Sequence, residues 1–153
     1  MTNEVTFSNS VKVVDNAKFK KVFELLNLET YISRDTGGIC VYSSDTSINV
    51  EECHVIVKRG TDIVVDVLNS YETFADKDIT DEETFIKEHD TISLIHFIQE
   101  QLLPSQIFIL TSVWHDKCED GGASTDIISK NRVEYINHNQ RIDEIVEEME
   151  SEV

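Results

Sequence analysis

The sequence predicts an α+β fold, a single domain in which an antiparallel sheet is packed by about three to four helices. Apolar residues recur at helical spacing near both ends of the chain and again around residues 92–102. Between residues 39 and 68 the pattern changes to short Val- and Ile-rich runs broken by polar turn residues, which is how antiparallel strands read. A length of 153 residues with 40% hydrophobic content suits one buried core. The sheet is expected to be a three-stranded meander joined by one or two later strands.

The first apolar positions, Val5, Phe7, Val11 and Val13, alternate weakly and predict a short edge strand within residues 4–14. Asp15 or Asn16 is a suitable N-cap for a helix running to Leu28. Phe19, Val22, Phe23 and Leu26 would form its buried stripe. Lys18, Lys20 and Lys21 lie off that stripe and read as a solvated face. After Gly37 and Gly38, residues 39–42, 48–57 and 63–68 give the three strands of the meander. Thr80 with Glu83 has the spacing of a capping box for a short helix over residues 81–88. Asp90 is expected to cap a longer, central helix ending before Pro104, with His96 among its apolar residues as a satisfied core histidine. Residues 107–113 read as a buried strand closed by Trp114, and residues 115–124 as a polar loop. Val133 and Tyr135 suggest a further strand. A last helix begins near Asn139, with Ile142, Ile145, Val146 and Met149 on one face.

Charge is the strongest compositional signal. Thirty acidic against 13 basic residues give a formal charge of −17. Such a field repels bare nucleic acid and anionic membrane and favours basic partners. No stretch approaches the length of a membrane span, and the N-terminus lacks a signal pattern, so the chain is expected to be cytoplasmic. Three cysteines at irregular spacing, Cys40, Cys53 and Cys118, predict free thiols rather than a disulfide framework. The acid is concentrated in residues 72–90, where eight carboxylates face only Lys77 and Lys87, with Tyr71, Phe74 and Phe85 interleaved. In the last helix Asp143 repeats with Glu147 and Glu144 with Glu148 at i, i+4, a like-charge spacing that opposes helix stability.

No motif implies a cofactor or a reaction. The nucleophile elbow, the phosphate-binding glycine loops, HExxH and the deaminase signature are all missing. Residues 76–87 imitate a calcium loop, but Asp81 stands where the pattern needs glycine and Lys87 where it needs glutamate. His115 and Cys118 are the alternative chemical site, for a zinc-type metal or an enzyme, but they supply too few ligands and no CxxC element.

The functional expectation is therefore a small acidic cytosolic inhibitor that binds a basic protein, one that handles DNA or RNA, by charge mimicry. A nuclease or another nucleic-acid-binding protein is the expected partner, with no direct contact to nucleic acid or membrane. In general character the chain resembles small proteins of phage counter-defence and toxin immunity, an analogy of type rather than of family. The expected contact residues are Glu72, Phe74, Asp76, Asp78, Asp81, Glu82, Glu83 and Glu88, with Asp143, Glu144, Glu147 and Glu148 of the last helix. A structural assembly subunit is the remaining alternative.

Overall fold

A computed structural model describes residues 2–70, 72–116 and 121–152. The chain begins with β1 (Thr2–Ser8), α1 (Asn16–Leu25), β2 (Glu29–Ile32) and β3 (Ile39–Ser43). A 3-10 turn (Val50–Glu52) leads to β4 (His54–Lys58) and β5 (Val64–Leu68). A second 3-10 turn (Phe74–Lys77) precedes α2 (Glu82–Glu88), β6 (His89–Ser93) and α3 (Leu94–Gln101). The chain then forms β7 (Phe108–Asp116), β8 (Gly121–Ile128), β9 (Val133–Asn137) and α4 (His138–Ser151). The fold is α+β, with two antiparallel sheets in the described residues: six strands in the order β2-β3-β1-β7-β8-β9, and three in the order β5-β4-β6.

The two sheets share one continuous core because α1 and α3 each touch both of them: α1 meets β2 and β5, and α3 meets β4, β6 and β8. From α1 the stripe Phe19, Val22, Phe23 and Leu26 is fully buried. Phe19 packs on Phe23 at 4.8 Å and edge-on against Phe108 of β7 at 5.7 Å, a favourable aromatic geometry. Leu94, Phe97 and Ile98 of α3 complete the cluster. Asp15 caps α1, its carboxylate accepting from the Lys18 amide at 3.1 Å. The helix ends where Asn27 turns left-handed (φ 67°) and the Leu28 amide returns to the Phe23 carbonyl.

Several expectations require correction. Residues 2–8 are not an edge strand, since β1 lies between β3 and β7 in the middle of the larger sheet. The meander is divided: β3 pairs in the larger sheet, while β4 and β5 form a hairpin in the smaller one. Asp90 caps no helix. It lies in β6, which pairs with β4, and α3 is capped by Ser93, whose hydroxyl accepts from the His96 amide at 3.1 Å. His96 is exposed rather than core and pairs with Glu100 at 3.0 Å. α2 is capped by Asp81, not Thr80. The capping box belongs instead to Thr73 and Asp76, at the start of the second 3-10 turn. The strand expected to be buried at 107–113 alternates: Phe108, Leu110 and Ser112 are inward, whereas Ile109 and Val113 are exposed. Of the polar stretch 115–124 the described residues are strand, with β7 running to Asp116 and β8 starting at Gly121, and residues 117–120 lie outside the described residues. No helix of the described residues is long and apolar enough to cross a membrane.

Candidate acidic interface

The segment 72–90 is a fixed scaffold. Thr73 donates its amide (2.7 Å) and hydroxyl (3.1 Å) to Asp76, and Asp78 takes a left-handed conformation (φ 56°) that ends the 3-10 turn. Asp81 then accepts from the Thr84 amide at 3.1 Å and hydroxyl at 2.7 Å, and these bonds hold its carboxyl below the usual aspartate range. Phe74 packs on Phe85 at 5.5 Å, and Phe85 stacks on His89 at 3.9 Å. Arg59 ties this unit to the smaller sheet: its Nε meets Asp90 at 3.0 Å while the guanidinium donates to the carbonyls of Ile86 and His89. Tyr71 lies outside the described residues.

The carboxylates of this segment divide into two groups. Glu72 accepts from the Asn69 amide at 2.7 Å and pairs with Lys77 at 3.1 Å, and Glu83 pairs with Lys87 at 3.7 Å. These two, with Asp76, Asp81 and Asp90, are engaged in holding the local fold. Asp78, Glu82 and Glu88 are exposed and have no ion-pair partner among the described residues. The structure leaves only those three as unengaged charge.

The last helix presents more. Asn137 caps α4 by accepting from the Gln140 amide at 3.1 Å. His138 meets the Thr125 hydroxyl at 2.8 Å, and Asn139 donates to the Gly121 carbonyl at 2.9 Å. Beyond this anchored first turn every described residue of α4 is exposed. The apolar stripe on one face of this helix is therefore open to solvent: Ile142 is 58% and Met149 61% exposed, with Ile145 and Val146 between them. Arg141 reaches Glu144 at 3.3 Å and Glu148 at 4.0 Å, whereas Asp143 and Glu147 have no ion-pair partner among the described residues. The two acidic surfaces are not brought together, since α2 rests on β6 of the smaller sheet and α4 on β8 and β9 of the larger one.

The lysines of α1 are engaged: Lys18 with Asp62 at 3.2 Å, Lys20 with Glu24 at 3.7 Å, and Lys21 with the Val64 carbonyl at 2.6 Å. His115 lies exposed on β7, opposite Gly121, while Cys118 falls outside the described residues. Among the described residues no three His, Cys, Asp or Glu side chains gather as metal ligands. Cys40 and Cys53 are buried free thiols, and burial pushes Cys53 up to about 11 while its sulfur donates to the Asn49 carbonyl at 3.2 Å. It is a thiol at neutral pH, without nucleophilic character.

The charge pattern alone does not single out Asp126, which the structure buries on β8. Strand periodicity is the signal that finds it, because residue 126 is in phase with the core residue Ile128. No family model, no curated protein and no solved structure matches the chain.

Proposed function

We propose that this chain is a small protein-binding inhibitor that engages a basic, nucleic-acid-handling protein by presenting carboxylates in place of phosphates. The observation that carries this reading is α4, where an apolar stripe left open to solvent runs beside Asp143 and Glu147, which have no ion-pair partner among the described residues. An apolar centre rimmed by charge is the usual anatomy of an interface. A net charge of −17 steers such a surface toward a basic partner. The exposed Asp78, Glu82 and Glu88 near α2 form the second, smaller surface.

The test is displacement. Nucleic-acid-binding proteins of the host are loaded on immobilised DNA and the purified chain is applied at low and at high salt. The chain is expected to release a specific protein at low salt, less so at high salt. The release should weaken in the Asp143→Lys, Glu147→Lys double variant more than in the Glu82→Lys, Glu88→Lys variant. Release that is absent at every salt concentration, or unchanged in both variants, overturns the reading.

A further inference from the structure

The inner face of the larger sheet changes character along its length. In antiparallel pairs, directly opposed residues share a face. Phe108 faces Ile128 across the β7–β8 pair, and both lie in the core. Further along the same face the register sets Leu110 opposite Asp126, Ser112 opposite Ser124, and Trp114 opposite Gly122. β1 adds Glu4 opposite Trp114, and β9 adds Tyr135 opposite Asp126. A face that is Phe, Leu and Ile at one end is thus carboxylate, hydroxyl and aromatic at the other. There, together with residues 47–49, it lines a half-open cavity of about 300 Å³.

Three features define the chemistry of this cavity. Asp126 is only 6% exposed, lines the cavity, and has no hydrogen-bond donor among the described residues. Burial, with Glu51 nearby, pushes it up to about 6, so at neutral pH it is a mostly ionised carboxylate with no cation paired to it among the described residues. Ser112 contributes an acceptor. The Thr6 hydroxyl donates to the Thr46 carbonyl at 2.7 Å, so in the 3.1 Å contact between Thr6 and Ser112 the serine is the donor. With its proton committed, Ser112 turns only lone pairs to the cavity. Trp114 supplies an aromatic wall: its indole lies across Gly122, where the ring Cε2 would stand 2.7 Å from an added Cβ. Among the described residues no lysine or arginine lines the space.

We propose that this cavity binds a small organic cation bearing N–H groups, an alkylammonium or guanidinium compound held by Asp126 and Ser112 against Trp114. Both cation types share the required chemistry of a positive charge, donors for acceptor-only partners, and attraction to an aromatic face. A volume near 300 Å³ admits a free molecule of a few carbons. The site is separate from α2 and from the exposed turns of α4, so it stands or falls independently of the inhibitor reading.

Trp114 is the sole tryptophan of the sequence, and its emission reports on the cavity. The full chain is titrated at pH 8 with butylguanidinium, with butylammonium and with tetramethylammonium, all monocations, of which the last has no N–H. The expected result is a saturable change with butylguanidinium or butylammonium, with the two arms separating guanidinium from ammonium, and none with tetramethylammonium. Asp126→Asn, nearly isosteric, should weaken binding about tenfold or more, as loss of a charge-assisted hydrogen bond does. The Glu82→Lys, Glu88→Lys variant should bind like the parent. Absence of saturation with both N–H cations up to about 10 mM, where even a millimolar site would fill, overturns the proposal. Equal binding of tetramethylammonium, or full affinity in a folded Asp126→Asn chain, overturns it as well.

Discussion

Asp126 is a buried carboxylate that the fold tolerates at a cost, and the cost has a definite pH dependence. In the native state it releases its proton near pH 6, against about 4 in the unfolded chain. Between those values the native state binds more protons than the unfolded one, so this residue's contribution to stability falls as pH rises through the window. A difference of about two pKa units corresponds to roughly 2 to 3 kcal/mol by pH 7. Among the described residues the ionisable groups around it include Glu4, Glu51 and Tyr135, and the charge of Glu51 acts in the same direction as burial. Asp126→Asn is therefore expected to be more stable than the parent above pH 7 and to match it near pH 4. Urea titrations of both proteins from pH 4 to 8 check this; parallel curves at all pH values would contradict it.

At the scale of single elements, the junction of β6 and α3 is the most informative. Ser93 ends the strand and caps the helix in one residue, accepting from the His96 amide. Ser93→Ala should lose about 1 kcal/mol, the usual loss for an N-cap, by urea denaturation. Asp90→Ala should leave the amide-exchange protection of α3 unchanged, because Asp90 contacts Arg59 rather than a helix end. The sequence shows α1 clearly, since Phe19, Val22, Phe23 and Leu26 mark a buried stripe without help from distant residues. It does not show the boundary between β6 and α3. The apolar residues Ile92, Leu94 and Ile95 run together across it, and only pairing of residues 89–93 with β4 makes the first part a strand. The cavity is less legible still: Ser112, Ser124 and Asp126 are ordinary polar residues until strand register puts them on one face. The acidic segment reads in the sequence as a continuous charged surface. The structure shows that most of its carboxylates cap turns or meet Lys77, Lys87 or Arg59.

For the whole molecule, the dominant quantity is the net charge of −17, and it acts against compactness. Added salt screens that repulsion, so the urea midpoint at constant pH should rise with sodium chloride. Most of the rise is expected below about 0.15 M, where the Debye length is still near 8 Å or more. A midpoint that stays flat or falls would show that the local ion pairs outweigh the general repulsion.

The place of β1 has a consequence for how the protein is made. β1 leaves the ribosome well before one of the strands that flank it in the sheet, since residue 2 pairs with residue 116. Its first neighbour, β3, follows soon after it, but its second, β7, follows only after residues 44–107 have been made. Until then one edge of β1, with Val5 and Phe7, is an open template for any passing strand. Pairing over so long a loop is slow, and nascent chains held in this state on one message are close neighbours. Mutual repulsion between acidic chains keeps those edges apart during the wait, so the charge that lowers the stability of the finished fold protects its assembly.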